Sequence, residues 1–327
     1  MVRRQFLLAA RILTLAAGAA LLAPAMAADP WPSKPVTVIV PFPAGGGTDA
    51  FARPLMAQLS KQLGKQFVID NRGGAGGTVG ASLASKAAPD GYTIFIGGAH
   101  HVIAPSFYKK LDYDIEKDFV PITVIAQPPQ VVVVNPKVQA NTLQELIAYA
   151  KQNPGKLNYG SAGNGSSHHL AGELFKLQTK TFITHIPYKG AGPALSDLIA
   201  GQVDIVYDGL GSSAQHIRSG KIKALAVAAP KRSPAFPNVP TAAEAGVPNY
   251  EVSTWYAMWA PKGTPKDITD KLYAEVTKAL NSPEMKQIWL NNGSETPQFT
   301  QQQFAQFQEA EIKRWAQVVQ QSGAKMD

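Results

Sequence analysis

The sequence predicts an α/β protein of two lobes, each a mainly parallel sheet flanked by helices, and three observations carry that prediction. Short apolar runs alternate with helical patterns through the first two-thirds of the chain. Two of those runs, at residues 36–40 and 156–159, end in glycine-rich turns that open a helix. A late aromatic run at residues 252–261 is followed by helices with no strand of their own, which must pack on a sheet already present. Strands alternating with helices argue for parallel sheets covered on both faces. Ligands of such sheets bind beyond the carboxyl ends of the strands, where both glycine turns lie.

The elements follow in order. Residues 36–40 read as a buried strand, then a glycine turn and an amphipathic helix over about 49–63. Residues 67–71 form a second strand, followed by Arg72-Gly73-Gly74-Ala75-Gly76-Gly77-Thr78, a helix of small residues to about 86, and a strand at 92–97. Further strands are predicted at 122–126, 130–134, 156–159, 182–188, 203–207 and 223–228, with helices notably at 142–152, 167–177 and 192–200. Residues 230–248 carry five prolines and little periodicity, so they read as a strap. Two helices, about 265–281 and 297–321, close the chain, and Pro265 and Pro283 suit helix starts. The chain thus crosses between lobes twice, near Ala126 and near Tyr250. Expected boundaries are 28–126 with 251–327 for lobe I and 127–250 for lobe II.

The N-terminus sets the compartment. Arg3, Arg4 and Arg11 bracket the start of an apolar stretch over residues 6–22, and Ala25-Met26-Ala27 is a small-x-small cleavage site. That pattern predicts a signal peptide over residues 1–27 and a periplasmic mature protein; Arg3-Arg4 leaves the Sec and twin-arginine routes both open. A retained membrane anchor fits less well, because Arg11 and Pro24 interrupt the stretch. The chain of 327 residues contains no cysteine, which excludes disulfides, thiolate catalysis and thiolate metal sites. Formal net charge is +8 for the whole sequence. Without the three leader arginines, 28 basic residues face 23 acidic ones, leaving +5. The basic residues are scattered, so no nucleic-acid arm is expected.

The two turns carry the chemistry. The first N–H groups of a helix lack internal partners, and the helix dipole favours an anion there. In the first turn, Gly45, Gly46 and Gly47 expose backbone N–H groups, Phe42 and Pro43 read as cleft wall, and Asp49 either caps the helix or meets the ligand. In the second, Ser161, Asn164, Ser166, Ser167, His168 and His169 supply more hydroxyls and rings than a cap needs. Tyr188 and Lys189 end one strand, and Asp208 stands just beyond another, where it could meet a ligand amino group or cap the next segment.

Other chemistries find less support. Residues 74–80 resemble a dinucleotide fingerprint, but the spacing is one residue too long, no acidic residue ends the next strand, and an exported protein meets no NAD or ATP pool. No cofactor is expected. No Gly-x-Ser-x-Gly elbow occurs, although a hydrolase with a dispersed triad stays open as an alternative. His100-His101 and His168-His169 are adjacent pairs whose side chains diverge, and no His-Glu-x-x-His occurs, so no metal site is expected. One member of each pair is expected to hydrogen-bond a carboxylate and the other to be structural.

Four stretches together resemble a known family: Pro41-Phe42-Pro43-Ala44-Gly45-Gly46-Gly47-Thr48-Asp49, Asn71-Arg72-Gly73-Gly74-Ala75-Gly76-Gly77, Gly163-Asn164-Gly165-Ser166-Ser167-His168-His169-Leu170-Ala171-Gly172-Glu173, and Pro187-Tyr188-Lys189-Gly190. They resemble the extracytoplasmic receptors of tripartite tricarboxylate transporters, the Bug receptors, and Trp255-Tyr256-Ala257-Met258-Trp259-Ala260-Pro261 is similar to the family's late strand. The resemblance covers essentially the whole mature chain. It implies a type II periplasmic-binding-protein-like fold that closes on a mono- or dicarboxylate without cofactor or metal, is not an enzyme, acts as a monomer, and passes its ligand to membrane permease subunits. A sensor that presents the ligand to a signalling partner is a further alternative. The resemblance places the carboxylate between Phe42, Ala44, Gly45, Gly46, Gly47, Thr48 and Asp49 on one side and Ser161, Ala162, Gly163, Ser166 and Ser167 on the other. By position, His101, His169, Tyr188 and Asp208 then meet the ligand's distal end. Which histidine of each pair faces the cleft is left open by the sequence.

Overall fold

β-Branched runs form the central strands because their side chains pack well on a pleated surface buried on both faces. β1 (Val36–Val40) reads VTVIV and β5 (Gln130–Val134) reads QVVVV, and every residue of β5 is buried. The computed structural model describes residues 30–322, so the predicted leader lies outside the described residues.

The first sheet holds β2 (Phe67–Asn71), β1, β3 (Thr93–Gly98), β10 (Tyr256–Pro261) and β4 (Phe119–Ala126), in that order. β1 runs parallel to β2 and β3, while β10 is antiparallel to β3 and β4. The second sheet holds β7 (Thr184–Pro187), β6 (Asn158–Ser161), β8 (Ile205–Gly209), β5 and β9 (Lys223–Val227). Here β5 is the reversed strand, antiparallel to β8 and β9. Each sheet therefore contains one antiparallel strand, placed where the chain has just crossed from the other lobe. The aromatic run returns to the first sheet as expected.

The helices are α1 (Gly47–Leu63), α2 (Thr78–Ser85), α3 (His100–Phe107), α4 (Leu143–Gln152), α5 (Ser167–Thr179), α6 (Ala191–Ala200), α7 (Leu210–Arg218), α8 (Lys266–Asn281), α9 (Pro283–Asn291) and α10 (Gln301–Ser322). No helix of the described residues is long and apolar enough to cross a membrane. Three differences from the sequence reading matter. α3 and α7 follow β3 and β8 directly and are short, so their periodicity is weak. The C-terminal region carries three helices, because Ser282 caps a separate α9 through the N–H of Met285. Asp208 lies inside β8, not beyond it.

α10 lies on the first sheet and is pinned there by indoles of the late strand and of the helix itself. Trp255 Nε1 donates to Glu311 Oε2 at 2.8 Å, Trp259 Nε1 to Gln308 Oε1 at 2.8 Å, and Trp315 Nε1 to Glu311 Oε2 at 3.1 Å.

Candidate functional site

α1 opens from the first glycine turn on one lobe, and α5 from the second on the other. The first turn is held by its own lobe. Gly45 takes a left-handed φ of +86°, which lets its N–H donate to Asp49 Oδ2 at 3.1 Å. Asp49 also pairs with Arg53 at 2.7 Å and accepts from Asn71 Nδ2 at 3.3 Å. The carboxylate expected either to cap or to touch ligand thus has a full set of partners within lobe I. The Gly47 and Thr48 N–H groups stand in the first turn of α1, where no intrahelical acceptor exists.

The second turn is built similarly. Ser166 caps α5 by accepting from the N–H of His169 at 3.2 Å, and Ser161 Oγ accepts from the N–H of Gly163 at 3.1 Å. Ser161 Oγ also lies 2.6 Å from His185 Nε2. His185 stacks between Tyr159 and His169, with ring centroids 4.8 and 4.2 Å away. Burial, then the neighbouring His169 and Lys176, push the His185 pKa down to about 3.

The lobes meet across these turns. Phe42 from lobe I forms a small apolar cluster with Ala162 and Ala191 from lobe II. Phe107 packs edge-on against His169, centroids 5.8 Å apart. The Tyr108 hydroxyl, on lobe I, lies 2.9 Å from the Asn164 carbonyl and 3.0 Å from that of Ala75. Ser167 Oγ comes within 3.5 Å of Thr254 Oγ1. Replacing Tyr108 by Phe removes this hydroxyl bridge between the lobes. A net hydrogen-bond contribution of roughly 0.5–1.5 kcal/mol predicts a two- to tenfold weaker ligand affinity, read by calorimetric titration, with the melting temperature little changed.

The histidine pairs divide clearly. His101 is buried in lobe I, where its Nδ1 accepts from the N–H of Gly98 at 3.1 Å, its Nε2 lies 3.4 Å from the Gly77 carbonyl, and its ring packs on Phe95 and Trp259. Both ring nitrogens of His101, the residue expected at the ligand's distal end, are thus engaged by lobe I backbone. His100 packs its ring on Phe42, centroids 4.6 Å apart, and neither of its nitrogens has a hydrogen-bond partner. On α5, His169 Nδ1 accepts from the N–H of Gly165 at 3.2 Å, while His168 Nε2 faces Asp208 Oδ1 at 3.4 Å. Tyr188 is similarly committed elsewhere, its hydroxyl donating to Asp197 at 2.7 Å.

His100 and His168, the pair members the sequence left open, are buried, and so are four residues the sequence reading did not select: Ser212, Ser213, Thr254 and Tyr256. Asp208-Gly209-Leu210-Gly211-Ser212-Ser213 is a third strand–glycine–helix turn, and two serines four and five residues after an acid were a legible signal. An open concavity of about 690 Å³ lies among Gln127, Pro129, the 228–234 strap and the 293–299 loop, away from both glycine turns.

Burial depresses the pKa of His100 well below its ordinary value, with His101 and His168 adding to the effect, and holds His101 at about 4. It lowers His168 too, with Asp208 opposing. A histidine whose folded pKa is depressed stays neutral in the native state while the unfolded chain takes up a proton near pH 6.5. Stability is therefore expected to fall as pH drops from about 6.5 toward 4, by about 1.4 kcal/mol per unit for each such histidine. Urea unfolding at pH 7.5, 6, 5 and 4.5 measures this; a flat profile contradicts it.

Comparisons with known proteins identify the family. The family model described as "Tripartite tricarboxylate transporter family receptor" matches residues 51–324. Protein BugT of Bordetella pertussis is 40% identical over 307 residues, covering 93% of this chain and 94% of BugT. Among solved structures, the R. palustris protein Rpa4515 with adipate is 40% identical with a TM-score of 0.88, covering 90% of this chain and 100% of the other. MatC from Rhodopseudomonas palustris with bound malate is 37% identical with a TM-score of 0.84, covering 88% and 100%. The chain belongs to the tripartite tricarboxylate transporter receptors, the periplasmic solute-binding proteins that include the Bug proteins.

Proposed function

We propose that this protein captures a small carboxylate between lobe I (28–126 with 251–327) and lobe II (127–250), and delivers it to the permease subunits of a tripartite tricarboxylate transporter. The observation that carries this reading is the pair of helix N-termini that each open from a glycine turn, one on either lobe. An anion held by both bridges the hinge, and its differential affinity shifts the population toward the closed form. Backbone N–H groups of Gly46, Gly47, Thr48 and Ser167 are the donors in this account. The adipate and malate held by the two relatives support a carboxylate ligand.

A hydrolase is the competing class, and Ser161 beside His185 is the arrangement it would use. That reading is disfavoured on two grounds. His185 is pushed to about 3, so it is a weak base at neutral pH, and its stacked ring has no carboxylate partner among the described contacts. The test is a thermal-shift screen of refolded protein lacking residues 1–27 against small carboxylates and their methyl esters. A ligand at about 100 times its Kd adds roughly 2.7 kcal/mol. Stabilisation by an acid but not its ester supports the receptor; ester consumption without stabilisation supports the hydrolase.

A further inference from the structure

Beyond the two turns, the interior between the lobes carries a second polar group that they do not use. Asp208 is wholly buried on β8. Its Oδ2 accepts from the hydroxyls of Ser212, at 2.7 Å, and Ser213, while Oδ1 stands 3.4 Å from His168 Nε2 without a hydrogen bond. His168 Nδ1 and both ring nitrogens of His100 are buried and unpartnered. His100 belongs to lobe I and His168 with Asp208 to lobe II, so the group spans the cleft. The buried residues of the described chain include no Lys or Arg to balance Asp208.

We propose that His100, His168 and Asp208 form a subsite for the far carboxylate of a short dicarboxylate, and that filling it takes up one proton onto the Asp208–His168 pair. The inference rests on the reading that the glycine turns hold the first carboxylate. Two ligand carboxylates and an ionised Asp208 would place three negative charges in a water-poor interior, where an unbalanced charge is costly. One shared proton makes the Asp208–His168 pair neutral. Burial works in that direction at both partners, raising the Asp208 pKa and lowering that of His168.

The proton comes from solvent and lies on Asp208 Oδ1, which then donates to His168 Nε2. The ring proton consequently sits on Nδ1, which donates to the ligand oxygen. Without the added proton the ring is reversed: Nε2–H donates to Asp208, and Nδ1 turns a lone pair toward the ligand carboxylate. No covalent bond of the ligand changes. The elements packed against α5 carry other titratable groups, most of them engaged elsewhere. Glu311 on α10 holds Trp255, Trp315 and Arg314; Tyr159 on β6 holds Glu173; His185 on β7 holds Ser161. Tyr207 on β8 is buried and unpartnered, and its pKa is pushed well up, so it stays neutral. His101 is fixed by Gly98 and Gly77, and Tyr256 is buried with its pKa raised, leaving His100 and Asp208 as the groups that bear on His168.

The experiment is calorimetric titration of refolded protein lacking residues 1–27 with succinate, glutarate and adipate, and with their monomethyl esters. Each titration is run at pH 7 in HEPES and in Tris, which differ in ionisation enthalpy. The expected result is one diacid binding at least tenfold more tightly than its half-ester. Its apparent enthalpies should differ between buffers by the equivalent of about one proton, and its affinity should fall as pH rises from 7 to 8.5. His168→Gln should abolish the buffer dependence and the preference over the half-ester while the half-ester still binds, whereas Asp208→Asn, neutral like the protonated acid, should abolish the buffer dependence and keep that preference. Equal affinity for diacid and half-ester, buffer-independent enthalpies, or preference for a zwitterionic amino acid over every diacid would overturn the inference while leaving carboxylate capture intact. Binding of no carboxylate at all would overturn the turn-based reading and this one with it.

Discussion

Gly192→Ala is expected to weaken ligand binding by roughly 10- to 100-fold while leaving the unliganded protein as stable as before, or slightly more so. Gly192 lies in the first turn of α6 on lobe II. A Cβ there would stand 2.7 Å from the Ala44 carbonyl oxygen and 3.4 Å from the Gly46 nitrogen, both backbone atoms of the first glycine turn on lobe I. Backbone cannot rotate aside as a side-chain tip can, so the added methyl must hold the lobes apart. Overpacking of this kind costs roughly 1–3 kcal/mol, which is charged against closure alone and converts to the stated loss of affinity. In the open form the same methyl meets no such obstacle and favours the helix by roughly 0.5–1 kcal/mol over glycine. Calorimetry and thermal melting of one variant therefore should move in opposite directions. Unchanged affinity would show that these turns do not approach each other in the bound state.

The largest loss of stability is expected at Glu311. This buried carboxylate accepts two indole N–H groups, from Trp255 and Trp315, on one oxygen, and Arg314 at 3.0 Å on the other. Glu311→Leu would leave both indoles buried without an acceptor, at roughly 1–3 kcal/mol each, and would detach α10 from the strand that carries the chain back to lobe I. A loss of roughly 2–6 kcal/mol in urea unfolding is predicted. Glu311→Gln keeps an acceptor oxygen and should recover most of that loss. If both variants unfold with the parent's midpoint, the helix is held by apolar packing alone.

The two-lobe architecture was legible because its signals are local: β-branched runs, glycine turns opening helices, and an aromatic strand followed by orphan helices. Parallel alternation alone did not reveal that β5 and β10 run backwards, since direction depends on which lobe the chain has just left. The two glycine turns that open helices were legible for the same local reason, as glycine and free N–H groups at a helix start follow from sequence order. The histidines were not. His100 and His101 are adjacent and chemically identical, and the division of labour was decided by the 3.1 Å approach of the Gly98 N–H, a tertiary contact that captures His101. Ser161, Asp49 and Tyr188 read as ligand contacts, yet their polar groups are taken by His185, Arg53 and Asp197, partners that the fold brings from elsewhere in the chain.

The central claim is that a carboxylate closes the two lobes by bridging the two turns. It is tested most directly by small-angle X-ray scattering of the refolded protein before and after adding the acid that stabilises it. The account predicts a contraction in the radius of gyration with the acid and none with its methyl ester. An acid that raises the melting temperature without contracting the protein would contradict it, because the ligand would then be bound without drawing the glycine turns together.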